Sequence, residues 1–207
     1  MVSVDDVLAF WLDECTPVDW YRSEPEFDAQ IKDRFEGTWH EACEGALGLW
    51  LTYPSGTLAY IILTDQFPRN MYRDKAGAFA SDQYALAAAK MALDRNWDLK
   101  IDEPARQFFY LPLMHAENLS DQDRGVRLIH ARMPKTGTST TLHAQAHRQV
   151  IRDFGRFPYR NDVLGRRTRP AEQAFLDAGG YGAVVRELQD TDNWSNTRLC
   201  CTNKGLG

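Results

Sequence analysis

Residues 139–155 read STTLHAQAHRQVIRDFG, and this stretch decides the fold class. His143, His147, Val150 and Phe154 recur at steps of four, three and four, with Ala146 beside them. That is the 3.6-residue period of one helix face, and Gly155 is a natural stop. The same spacing extends outward. Phe27, Ile31, Phe35 and Trp39 step by four and predict a long helix ending near 45–48. Similar patterns predict helices over 4–12, 58–65, 82–95, 121–132 and 170–175, with a shorter stretch opening at Pro104. Ser55 and Asp82 have the side chains of N-caps. Pro68 and Pro112 read as helix breakers, and Gly179-Gly180 as the last stop. Alternating β-branched runs bounded by tight turns are scarce, so the expectation is an all-α single domain of about eight or nine helices. The domain is drawn at 1–188, with 189–207 as a loose, polar tail. No strict 34-residue repeat is present.

With 207 residues the chain has room for one ordinary core. No segment approaches the roughly 20 apolar residues of a membrane span, and Asp5 and Asp6 stand where a signal peptide would carry basic residues. A cytoplasmic protein without membrane partners is therefore expected. Cys15, Cys43, Cys200 and Cys201 form no C-x-x-C pair, and the last two read as free thiols of the tail.

The formal charge of −5 is unevenly placed. Seven arginines (Arg148, Arg152, Arg156, Arg160, Arg166, Arg167, Arg169) face only Asp153 and Asp162 over 148–169, which leaves −10 on the rest. An acidic chain argues against nucleic acid as a partner, which requires a broad basic surface. Several of these arginines flank helix ends beside apolar residues, which suits an internal charge constellation.

Polar residues on apolar faces mark the candidate chemistry. Leu58, Ile62 and Asp65 share a narrow helix face, so Asp65 occupies a core position and needs a cation or several donors. His143 and His147 lie one turn apart, as metal-binding pairs do, but the Glu of H-E-x-x-H is missing and no metal is expected. His115-Ala116-Glu117 resembles the H-x-E of zinc deaminases, yet no P-C-x-x-C follows. What survives is Asp65, His115, Glu117 and His147 as acid–base residues, with no cofactor.

An internal echo supplies the other half. Phe67-Pro68-Arg69-Asn70 is matched by Phe157-Pro158-Tyr159-Arg160-Asn161, and each is followed by a further arginine, Arg73 and Arg166. With Phe27-Asp28, Ala78-Phe79, the segment Leu111-Pro112-Leu113-Met114-His115-Ala116-Glu117 and His147, these motifs resemble the bacterial family called domain of unknown function 924. The resemblance spans roughly 7–176 and implies a tetratricopeptide-like helical fold. It brings no settled activity. The family pattern often has His where this chain has Tyr159, so a histidine there is not essential to whatever this chain does.

Two functional readings follow. In the first, a pocket enzyme, Asp65, His115, Glu117 and His147 move protons. Arg69, Asn70, Arg156, Tyr159, Arg160 and Asn161 then bind an anionic small molecule, a carboxylate or phosphate. In the second, the helices form a peptide- or protein-binding scaffold, which calls for Trp39, Trp50, Tyr72 or Trp97 exposed around a groove.

Overall fold

The computed structural model describes residues 2–202, with side chains described through residue 191. All regular structure among the described residues is helical, in agreement with the 3.6-residue periodicity. Helix α1 (Val4–Leu8) starts on a reciprocal capping box between Ser3 and Asp6 and runs on into a π-helical segment, Ala9–Glu14. Helix α2 (Pro25–Cys43) buries Phe27, Ile31, Phe35 and Trp39, the stripe read from the sequence. Helix α3 (Pro54–Ile61), a π-helical segment (Ile62–Gln66) and α4 (Phe67–Met71) form one continuous run, followed by α5 (Asp82–Asp94). A 3₁₀ turn (Ala105–Phe109) leads into α6 (Leu111–His115), α7 (Leu119–Arg132) and α8 (Gly137–Phe154). Gly155 ends α8 with a φ of 71°, a left-handed backbone that glycine adopts without strain. A second 3₁₀ turn (Pro158–Arg160) and helices α9 (Pro170–Asp177) and α10 (Gly180–Thr202) complete the chain.

Several local expectations change. Neither Pro68 nor Pro112 breaks a helix; each sits in the first turn of its helical segment, a place that proline's fixed φ suits. At Pro68 the missing donor would have served the Thr64 carbonyl. That carbonyl instead accepts from Ser81 Oγ at 2.6 Å, and Ser81 in turn accepts from Trp39 Nε1 at 2.9 Å. Ser55 caps nothing, because Pro54 already opens α3. Asp82 caps nothing either, its carboxylate being turned to arginines. Helix α10 crosses the boundary drawn at 188/189; residues 203–207, and the side chains of Cys200 and Cys201, lie outside the description.

The core is aromatic. Phe10, Trp11, Phe35 and Phe67 are almost fully buried, with Phe35–Phe67 centroids 4.6 Å apart and Trp11 edge-on to Phe67 at 5.3 Å. Each such side chain contributes about 1.5–3 kcal/mol through burial. Trp39 is buried, while Trp50, Tyr72 and Trp97 pack half-buried against this core, so none is offered to a groove in the way the scaffold reading requires. A smaller cluster of Val150, Ile151 and Phe157, backed by Phe154, Phe175 and Val184, ties α8 to the C-terminal helices. Among the described residues no helix is long and apolar enough to cross a membrane.

Candidate functional site

The π-helical segment places Asp65 in the interior, fully buried, where α3 gives way to α4. Widened turns of this kind are frequent at functional sites. Opposite stands His115, the last residue of α6, whose Nδ1 lies 2.8 Å and 3.0 Å from the two Asp65 oxygens. The end of α6 is held firmly. Gln122 Nε2 donates to the Met114 and Ala116 carbonyls at 2.6 Å and 2.8 Å, and Arg160 donates to the His115 carbonyl between them at 3.2 Å. Gln66 Nε2 donates to Asp65 as well.

Burial would raise the Asp65 carboxyl. The Arg69 guanidinium, His115 and the hydrogen bonds from His115 and Gln66 outweigh it and hold the group below the usual carboxylate range. Burial, reinforced by Arg69, lowers His115 despite the neighbouring Asp65. An ionised Asp65 beside a neutral His115 fixes the tautomer: the proton sits on Nδ1, leaving the Nε2 lone pair free.

His147 on α8 faces His115 with ring centroids 6.2 Å apart, and stacks on Tyr181 of α10 at 4.7 Å. Its Nδ1 is buried without a partner. Burial, with lesser effects from His115 and Arg160, keeps this imidazole neutral well below its ordinary range. Tyr181 also bonds His143 Nδ1 through its hydroxyl at 2.6 Å.

Two arginines meet here from different elements. Arg69 is the more heavily engaged: Nη1 donates to the Asp65 carbonyl at 2.6 Å and to Asp82 at 2.9 Å, and Nη2 reaches the other Asp82 oxygen at 3.2 Å. Arg160 is buried between the rings of Phe79 and Phe157, at 4.5 Å and 4.4 Å from their centroids. Its polar contacts are the His115 carbonyl and, at 3.5 Å, Asp82. Its other N–H groups have no partner among the described residues. Burial and Arg69 together pull Arg160 below its ordinary value, as expected for a cation short of compensation.

Two cavities adjoin this cluster, sharing Arg69, Arg73, His115 and His147 as lining. The larger, about 820 Å³, also touches Asn70, Trp20, Leu111, Met114 and His143. The smaller, about 330 Å³, includes Tyr159 and Arg160.

Asp65, His115, His147, Arg69 and Arg160 are thus brought together. Other candidates are placed differently. Both Glu117 oxygens are taken by Arg166, at 2.6 Å and 3.0 Å, and by the Phe157 N–H at 2.8 Å, so this carboxylate anchors a loop and has no free oxygen for proton transfer. Arg156 pairs with Glu172 at 2.7 Å and 2.8 Å, and Asn161 bonds the same carboxylate at 3.1 Å. Neither lines either of these two cavities. Asn70 reaches the larger cavity but commits its amide to Asp28 at 2.8 Å. Asp82, Gln66, Gln122 and Tyr181 were not anticipated. For Asp82 a signal existed, an acid thirteen residues beyond Arg69, but its position at a helix start read as a cap. Among the described residues no group of three His, Cys, Asp or Glu is arranged to hold a metal ion.

The profile of a bacterial family of unknown function, DUF924, matches residues 7–180. A solved structure of a protein of unknown function, ATU0120 from Agrobacterium tumefaciens, is 36% identical to this chain. The match covers 84% of this chain and 96% of that one, with a TM-score of 0.78. No curated protein matches.

Proposed function

We propose that this chain, which belongs to the DUF924 family of bacterial proteins, is an enzyme that acts on an anionic small molecule by general acid–base catalysis. The observation that carries this reading is the buried Asp65–His115 pair at 2.8 Å beside a cavity. Asp65 orients the ring and stabilises the imidazolium that forms when His115 Nε2 takes a proton from water or from the substrate. The same division of labour operates wherever a carboxylate backs a catalytic imidazole.

His147 supplies the complementary group. A buried, unpartnered N–H costs more than an unpartnered lone pair, so the proton belongs on Nε2 and the ring donates a hydrogen bond to an oxygen that gains negative charge. Arg160 holds the anionic group through its unused N–H donors. Arg69 is a positioning residue, since its own donors are committed to Asp65 and Asp82. Hydrolysis, isomerisation and elimination share this first proton transfer.

Anion-exchange fractions of a bacterial metabolite extract, incubated with the purified protein and followed by mass spectrometry, test the proposal. At least one retained compound is consumed by the wild type, and His115→Gln slows its loss by about 10²–10⁴-fold. Equal consumption by both proteins, or no consumption of any retained compound, overturns it.

A further inference from the structure

The two cavities differ in character. The larger has an apolar wall of Trp20, Leu111, Met114 and Pro17 and is bordered by Arg22, Arg69 and Arg73; the Trp20 N–H is already bound to the Trp11 carbonyl at 2.6 Å. The indole therefore presents only carbon to that space. At about 820 Å³ the cavity is the size of sites that enclose drug-sized ligands. The smaller cavity holds the under-partnered Arg160, stacked between Phe79 and Phe157. The N–H groups of Arg160 that no protein acceptor takes up open onto this cavity, where an anion can accept from them. Asp74 also lines this cavity but is exposed, and its charge favours seating an anion on the Arg160 side. His115 and His147 lie where the two spaces adjoin.

We infer that the ligand is an amphiphile. Its carboxylate or phosphate head sits on Arg160 in the smaller cavity, and its hydrocarbon tail fills the larger one against Trp20, Leu111 and Met114. The atoms between head and tail are those presented to His115 Nε2. This rests on the catalytic reading for what happens at the histidine, but not for the binding itself. It also accounts for the broad apolar wall that the larger cavity carries beside its arginines, which a small polar substrate leaves unfilled.

A homologous series decides it. Straight-chain alkanoates and alkyl phosphates from two to twelve carbons are titrated into the wild-type protein by calorimetry, with inorganic phosphate and alkyltrimethylammonium ions of equal length alongside. Affinity rises about fourfold per methylene until the larger cavity is full, then levels off. The cationic series binds at least about tenfold more weakly than the anionic one of equal length. Arg160→Met removes the preference for the anionic head and keeps the dependence on chain length.

Affinity independent of chain length, or equal for anionic and cationic heads, overturns the inference from the wild type alone, whatever the variant does to folding. The catalytic reading is separated by following turnover of the bound compounds by the wild-type protein. Chain-length-dependent binding without any compound turned over sinks the catalytic reading and leaves this one standing. A compound turned over by a protein whose affinity ignores chain length does the reverse.

Discussion

The motif around Arg69 and the motif around Arg160 share a plan and diverge most at the arginine itself. In each, the asparagine bonds a carboxylate that a second arginine also grips. Asn70 and Arg73 share Asp28, and Asn161 and Arg156 share Glu172. In each, the motif arginine reaches inward to Asp82. The difference lies in how far that arginine is satisfied. Arg69 spends its donors on a carbonyl and both Asp82 oxygens, whereas Arg160 has one carbonyl, a long contact to Asp82 and two aromatic faces. Two versions of one clamp thus yield one arginine that is tied to two carboxylates and one whose remaining donors are uncommitted. The basic stretch over 148–169 dissolves into the same logic: Arg148, Arg156 and Arg166 are paired with Asp123, Glu172 and Glu117.

The largest effect expected is at the carboxylate on which the first motif depends. Asp65→Ala strips a fully buried anion from between Arg69 and His115 and lowers stability by about 3–5 kcal/mol in urea denaturation. Next comes the contrast itself. Arg69→Met leaves Asp65 and Asp82 short of their cation and costs about 3 kcal/mol. Arg160→Met removes a buried cation with few partners and changes stability by less than about 1 kcal/mol, while removing the preference for an anionic head. Equal losses at the two positions would break the division between holding and binding.

Acid separates the same two regions. In the unfolded chain His115 and His147 bind a proton near pH 6.5, but in the folded protein burial lowers both. Below pH 6.5 the unfolded state therefore holds more protons, and stability falls with falling pH. Replacing His147 with Leu flattens that slope between about pH 6.5 and 5. Glu172 behaves differently. Its hydrogen bonds from Arg156 hold it at about 2, so its contribution is complete above the ordinary carboxylate value near 4.5 and is lost as pH falls towards 2. Glu172→Gln flattens only this lower limb, with thermal midpoints against pH as the measurement. If both variants act over the same pH range, the site and the clamp are not separate units.

The sequence made the helices legible because their apolar faces are long: Phe27 to Trp39, and His143 to Phe154. It also made Asp65 conspicuous, since an acid on an apolar face needs a reason. The pairing of Asp65 with His115 was not legible, because fifty residues separate them and no local period links two turns on different helices. Proline carried the main ambiguity. Its fixed φ suits a first turn as well as a break, and only the hydroxyl of Ser81 at the Thr64 carbonyl decides in favour of continuation. In sequence, a polar group tied up in an ion pair looks the same as one left free, so Glu117, Arg156 and Asn161 read alike with His115. What distinguishes them is whether any oxygen or N–H remains uncommitted.

The smallest effect tests the position where this chain carries Tyr159 between the proline and arginine of its second motif. Tyr159 is 39% exposed, and its ring stacks on Phe157 at 5.3 Å. Its hydroxyl has no hydrogen bond among the described residues. The ring therefore shields Phe157 and the neighbouring Arg160, and the oxygen adds little. Tyr159→Phe changes stability by less than about 0.5 kcal/mol and leaves the alkanoate affinities within twofold of the wild type. Tyr159→Ala strips cover from the Phe157 ring, one of the two aromatic partners of Arg160, and weakens anionic heads more than it weakens chain-length dependence. A loss in Tyr159→Phe as large as in Tyr159→Ala would make the hydroxyl a ligand contact and shift the anion away from Arg160. Equal, near-zero effects of both would confine the binding role of the second motif to its arginine.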